Sequence, residues 1–336
     1  MRPLTTFMEP GDLSLAETQE LLELARELKV RRFGRELQNK TLGMVFFNQS
    51  LRTRTSFDIA MQQLGGHTTS LNVGDNTWNL EYRDDVVMDG TAVEHIREAA
   101  PVLSRYVDAL AIRAFPKYTE SWEANRHDPV HRGFIDHSTV PIINMESSRH
   151  HPCQSLADIM TIREKLGEPK GQPIVVSWGW HVNPLPMAVS NSILVEAAKF
   201  GMEVRLAHPP GWELDPGIMD TASKLAASAG GSVKIYHELD EALPGARAVY
   251  FKSWGSITNY GDPAVERGVT LNMKGKWQLT REHLNRTDNA LFMHCLPVRR
   301  GVEVLPEVLD SPHSVVVDEA ENRLHVQKAL LLRMLT

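Results

Sequence analysis

Two cysteines in 336 residues are too few for a disulfide framework, and Cys153 and Cys295 have none of the close pairing that structural metal sites use. A reducing compartment and no bound metal are the expectations. A basic excess is also missing: 36 Lys and Arg stand against 42 Asp and Glu, for a formal net charge of -6. No broad field is available to attract nucleic acid or an acidic membrane, so any anion site must be local. No apolar run approaches the roughly 20 residues of a membrane helix, and the opening "MRPLTTFMEPGDLSLAETQELLELA" has acidic residues and no signal-type apolar region. These absences predict a cytosolic protein with a small-molecule partner. Internal repeats and low-complexity tracts are absent too.

What is present is a core-forming chain, 42% hydrophobic, of a length that favours two domains. Helical spacing in "LSLAETQELLELARELKVRRF" is followed by the short apolar run "TLGMVFF". Further strand-like runs are "YVDALAIRAF", "TVPIINM", "QPIVVSWGW", "MEVRLAHPP", "SVKIYH", "ARAVYFKSW", "ALFMHCLP" and "SVVVDEA", separated by helix-like segments such as "PMAVSNSILVEAAKFG". The alternation predicts an α/β fold of two doubly wound lobes with parallel sheets, where ligands sit beyond the carboxyl ends of strands. The boundary is placed near "HPCQSLADIM", giving domains 1–150 and 151–317, and the closing amphipathic helix, about 318–336, is expected to pack back on the first.

The stretch "VFFNQSLRTRTSFDIAMQQLGG" places Arg52 and Arg54 among Ser50, Thr53, Thr55 and Ser56 where a strand gives way to a helix. Backbone N–H groups, guanidinium groups and hydroxyls converging there form a phosphate cradle. The plain alternative is a Ser or Thr helix cap with two solvated arginines. Cations in a first helical turn oppose the dipole by roughly 0.3–1 kcal/mol each unless an anion compensates, which favours the cradle. After other strands stand Arg113 in "IRAF", His151 and Gln154 in "RHHPCQ", and His294, Cys295, Arg299 and Arg300 in "HCLPVRR". Singly, each is as consistent with a solvated arginine or a loop turn.

In this order "SLRTRT", "HPCQ", "HCLP" and the late "ENR" resemble the carbamoyltransferases of the ornithine type over nearly the whole chain. The resemblance implies an active site between the lobes, carbamoyl phosphate as one substrate, an amine acceptor bound mainly by the second lobe, no metal or other cofactor, and a homotrimer with shared sites. It assigns Ser50, the Leu51 backbone, Arg52 and Thr53 to the phosphate, and Arg113 to phosphate and carbonyl oxygen. His151 would polarise the carbonyl, with Gln154, Arg323 and the backbone at Cys295 and Leu296 orienting the carbamoyl amide. Arg113, His151, Cys295 and Arg323 would be the catalytic set. Fixed donors aimed at the growing oxyanion suit attack by a neutral amine with phosphate leaving, and Cys295 needs no nucleophilic role. A non-catalytic phosphate sensor is the alternative of a different class; the complete residue set speaks against it.

Departures from the ornithine pattern concern the acceptor. Where ornithine enzymes carry an Asp and a Ser-Met-Gly turn, this chain reads "VYFKSWGS", so Lys252 replaces a carboxylate and suits a carboxylate beside an acylated amine. "NTW" with Trp78, "VMDG", "NMES" with Glu146, "KSWG" and the "WHVNPLP" loop with His181 resemble the branch that uses N-acylated ornithine. In that branch the tryptophan comes from the adjacent subunit, and the proline-rich loop goes with a knotted chain in the second lobe. Val93, Glu146, His181, Lys252 and Arg299 are the expected acylornithine contacts. Val93 stands where acetylornithine enzymes carry Glu, and Glu303 where they carry a lysine. An apolar residue leaves room for a succinyl carboxylate that Glu would repel, which favours N-succinyl-L-ornithine over N-acetyl-L-ornithine. Ordinary packing is the plain alternative for both Val93 and Trp78.

Overall fold

The computed structural model describes residues 4–115 and 121–336. The chain divides into two compact units. One holds the described residues of Met1–Pro116, Glu123–Cys153 and Arg323–Thr336, the other those of Lys117–Trp122 and Gln154–Asn322.

The first unit contains strands β1 (Thr6–Phe7), β2 (Thr41–Phe46), β3 (His67–Asn72), β4 (Asn79–Glu81), β5 (Ala92–His95), β6 (Ala109–Arg113) and β7 (Ile142–Glu146). Its five-stranded sheet has the order β1-β7-β6-β2-β3, and every pairing is parallel. β2 and β6 are apolar almost throughout because helices cover both faces of such a sheet. Val45, Ile96, Ala100, Leu110, Ile112 and Phe134 pack into its core. Phe46 pairs with Arg113 and Arg113 with Glu146, so three strands end side by side. That register sets the turn at Ser50, the side chain of Arg113 and the loop before His151 at one edge.

β4 and β5 form a separate parallel pair in which Asn79 pairs with Ala92 and Leu80 with Glu94. Val93 is the skipped residue, and a bulge of this kind re-aims a side chain. The first long helix, Leu15–Val30, starts in a capping box in which Ser14 and Glu17 satisfy each other's backbone N–H groups. At its far end Lys328 Nζ donates to the carbonyls of Leu28 and Arg32, at 3.0 and 2.8 Å, and to Gln63 Oε1 at 3.2 Å. Arg333 likewise donates to Glu17 at 2.6 Å, so the end of the closing helix belongs to this unit through buried charged contacts.

The second unit contains β8 (Pro173–Trp178), β9 (Glu203–Ala207), β10 (Ser232–Tyr236), β11 (Ala248–Lys252) and β12 (Leu291–Met293), ordered β10-β9-β8-β11-β12 and again all parallel. Trp178 pairs with Lys252 at the carboxyl ends of β8 and β11. The next residue, Gly179, leaves no space for a side chain, since a Cβ there would stand 2.4 Å from the Phe251 ring. Beyond β11 a relay of indoles fixes the chain: Trp178 Nε1 donates to the Trp254 carbonyl at 2.7 Å, Trp254 Nε1 to the Trp212 carbonyl at 2.9 Å, and Trp212 Nε1 to Glu266 at 2.9 Å. Lys252 is therefore presented by a stiff turn.

One expected strand is not a strand. "SVVVDEA" enters the closing helix Val316–Leu335, with only an isolated bridge from Ser314 to Phe292. Asp318 and Glu319 in the first turn complement the helix dipole, and Val317 is exposed. Among the described residues no helix is long and apolar enough to cross a membrane.

Candidate active site

In the first unit the helix Arg52–Gln63 follows β2. The Thr53 N–H donates to Ser50 Oγ at 3.1 Å, so Ser50 caps the helix as well as lining its mouth. Arg323, arriving on the closing helix, donates through Nη2 to Thr53 Oγ1 at 2.8 Å. Arg113 is largely buried, pairs with Glu146 and has its guanidinium carbon 5.0 Å from the Phe115 ring centre. Its Nε has no hydrogen-bond partner among the described residues. His151 stands beside this pair, its Nε2 3.7 Å from Glu146.

The charges of three guanidinium groups act on this buried imidazole, with one carboxylate beside it. Burial first, then the charges of Arg323, Arg113 and Arg52, push the His151 pKa well below its ordinary value. His151 is neutral at physiological pH and suits the role of hydrogen-bond donor to a carbonyl oxygen. The loop before it is held by Asp128, which accepts from Ser147 Oγ at 2.7 Å and from the Ser148 N–H at 2.8 Å. Asn144 Nδ2 donates to the His150 carbonyl at 3.2 Å. No motif marks Asp128, which lies 20 residues away from the loop it supports.

In the second unit Gln154 lies in the helix Pro152–Leu166. Its Nε2 donates to Asp158 Oδ1 at 2.8 Å and to Glu319 Oε1 at 2.9 Å. With both amide hydrogens directed at carboxyl groups, the Gln154 carboxamide has a fixed orientation. Glu319 Oε2 accepts the His294 N–H at 3.0 Å, and His294 Nδ1 accepts the Leu296 N–H at 2.9 Å. The Leu296 N–H is therefore in use, and the Leu296 backbone has its carbonyl, an acceptor, to offer a carbamoyl amide. Leu296 adopts φ 55, and Cys295 beside it is buried.

A second group in this unit joins Lys252, Glu303, His294, His181 and Arg299. Burial opposes ionisation of Glu303, yet the His294 ring 3.6 Å away, the charge of Lys252 and the Arg299 N–H, donated at 3.1 Å, hold its pKa at about 2. His181 is pushed down by burial, with Glu303, Lys252 and Arg299 as charged neighbours. An ionised carboxylate thus lies near two cations and two imidazoles, among them the lysine that the sequence marked as an acceptor contact. Glu146, also expected to contact the acceptor, ends β7 in the first unit and pairs with Arg113.

Trp78 and Val93 are 55% and 68% exposed, so neither is a core residue. Trp78 Nε1 donates to Glu94 at 2.7 Å, which holds the indole on the small β4–β5 sheet. Two arginines fall outside the roles the sequence suggested. Arg54 turns to Ser70 and Asn72 and lies 4.2 Å from the Phe46 ring centre, which removes it from the phosphate cradle. Arg300 is exposed and paired with Asp310.

Buried imidazoles predict acid lability. Burial is the leading cause of lowered pKa values at His131, His151, His181, His208 and His283. The unfolded chain binds protons below about pH 6.5 while the folded chain resists them, so the stabilisation is present above that pH and lost as pH falls. Tm is expected to fall from pH 7.5 to pH 5.5; a constant or rising Tm would contradict it.

The comparisons with known proteins agree with this geometry. The carbamoyl-P binding domain of aspartate/ornithine carbamoyltransferases matches residues 5–164, and their Asp/Orn binding domain matches residues 186–334. An N-acetylornithine carbamoyltransferase of Xanthomonas campestris pv. campestris is 43% identical over 98% of this chain and 97% of its own. An N-succinylornithine carbamoyltransferase of Bacteroides fragilis is 36% identical over 100% and 99%. A solved glutamate-to-valine mutant of N-acetyl-L-ornithine transcarbamylase, complexed with carbamyl phosphate and N-succinyl-L-norvaline, superposes with a TM-score of 0.95 at 42% identity, over 98% of this chain and 100% of that one. The chain belongs to the aspartate/ornithine carbamoyltransferase family, in its N-acylornithine branch, and is a carbamoyltransferase.

Proposed function

We propose that the protein transfers the carbamoyl group of carbamoyl phosphate to the δ-amino group of N-succinyl-L-ornithine, giving N-succinyl-L-citrulline and phosphate for arginine biosynthesis in the cytoplasm. The observation that carries the donor half is the convergence of Arg52, Arg113 and Arg323 on a neutral, buried His151. Guanidinium groups outnumber carboxylates there, which suits a phosphate dianion. Ser50, Leu51, Arg52 and Thr53 hold the phosphate. Arg113 bridges phosphate and carbonyl oxygen, and His151 donates to that oxygen as negative charge grows on it. Gln154, Arg323 and the backbone of Cys295 and Leu296 orient the amide.

Lys252 takes the α-carboxylate of the acylated acceptor, with His181 and Arg299 beside it. Val93 supports the succinyl reading, because its exposure is unlike that of a packing residue. A valine replacing glutamate also goes with a succinyl ligand in one solved relative. With Arg300 engaged by Asp310, Arg299 is the better donor for the distal carboxylate. N-acetyl-L-ornithine is the second reading, favoured by the greater identity to acetylornithine enzymes.

The assembly proposed is a homotrimer in which Trp78 completes a neighbour's site. Its exposed, hydrogen-bonded indole supports this. Sedimentation at assay concentration is expected to give a trimer, and Trp78→Ala to lower turnover. A fully active monomer would refute the arrangement.

A further inference from the structure

We propose that Asp158 and Glu319 share a single proton and act together as a positioning pair, fixing the Gln154 carboxamide on one side and the turn His294 to Leu296 on the other. The role rests on the assignment of Gln154 and that turn to the carbamoyl amide. The two side chains come from different helices of the second unit and are both fully buried. The Gln154 amide nitrogen joins them, donating to Asp158 Oδ1 at 2.8 Å and to Glu319 Oε1 at 2.9 Å. Two acids held this close in a buried site do not both ionise, so one keeps a proton.

The donors around the pair place the proton. Glu319 already accepts from Gln154 Nε2, from Tyr250 Oη at 3.4 Å and from the His294 N–H, so both of its oxygens receive hydrogens. With both Glu319 oxygens receiving hydrogens, the proton is placed on Asp158, whose Oδ1 accepts from Gln154. Among the described residues Tyr250 is the other titratable group facing Glu319, with Cys295 beside Tyr250 and His294 meeting the pair through its backbone. Burial first, then the charge of Asp158, push Glu319 well above the ordinary carboxylate range, so the site keeps its proton. The pair thus has one negative charge and one donor. That charge holds two structures that the reaction needs in register: an amide whose N–H groups are turned inward and a turn whose carbonyl is available.

Asp158→Asn reproduces the protonated form, since its amide nitrogen replaces the hydroxyl donor and its oxygen still accepts from Gln154. Asp158→Ala removes both. Carbamoyl transfer by Asp158→Asn is expected to keep kcat within about threefold of the parent, while Asp158→Ala loses about 100-fold or more, on the scale of a misplaced amide-orienting group. If Asp158→Ala fails to fold, a second reading remains. The parent retains on folding a proton that its unfolded carboxylates have lost, so its stability falls as pH rises relative to Asp158→Asn. The Tm advantage of Asp158→Asn should therefore grow from pH 5 to pH 8, and comparison of the two proteins cancels the histidine contribution. A pH-independent difference, or an Asp158→Asn variant as inactive as Asp158→Ala, would overturn the proposal. A parent that makes no citrulline-type product would refute the functional assignment instead, while the Tm comparison would still decide the shared proton.

Discussion

Arg113→Ala is expected to lower kcat/KM for carbamoyl phosphate by about three to five orders of magnitude. A charge-assisted contact to the phosphate is worth roughly 1.5–3 kcal/mol, and a donor to the developing oxyanion roughly 2.7–4 kcal/mol. Arg113 makes both in the proposed complex. Its largely buried guanidinium pairs with Glu146 and has an Nε to offer. Truncation also leaves Glu146 buried without this partner, so Tm must be measured alongside activity. Arg113→Lys should rescue little, because an ammonium lacks the planar fork that serves a phosphate and a carbonyl oxygen together. Steady-state kinetics decides the matter, and near-normal turnover in a folded Arg113→Ala protein would remove Arg113 from the site.

Val93→Glu is expected to reduce turnover of N-succinyl-L-ornithine about fivefold to a thousandfold. Two like charges about 4 Å apart repel by about 1 kcal/mol in water and about 4 kcal/mol at an effective dielectric of 20. Val93 is 68% exposed in the single chain, so the lower end applies unless the assembly covers it. N-acetyl-L-ornithine lacks the distal carboxylate and offers its amide N–H to the new Glu, so its turnover should fall less or rise. The ratio of the two kcat/KM values is the measurement. An unchanged ratio would make Val93 a bystander.

Particular residues show why part of this was readable in the sequence. β2, β6 and β8 are buried on both faces, so they appear as unbroken apolar runs. β3, "HTTSLN", lies at the sheet edge with a half-exposed polar surface and leaves no such signal. The three valines of "SVVVDEA" carry strand propensity, yet the chain uses them to open a helix. Arg52 and Arg54 looked alike as anion donors. Two residues apart on a helix they point about 200° from each other, so one serves the cradle and the other packs on Phe46. Asp128, Asp158 and Glu319 belong to no short motif. Glu319 meets Gln154 across 165 positions, a proximity that only the folded sheet and closing helix create.

The decisive assay is product formation from carbamoyl phosphate with ornithine, N-acetyl-L-ornithine and N-succinyl-L-ornithine side by side, with phosphate release followed in parallel. Stoichiometric phosphate is expected, with N-succinyl-L-citrulline as the preferred product and free ornithine the poorest acceptor. A preference for N-acetyl-L-ornithine would contradict the succinyl assignment, and absence of a citrulline-type product from all three would contradict the catalytic reading of the Arg52, Arg113, His151 and Arg323 cluster.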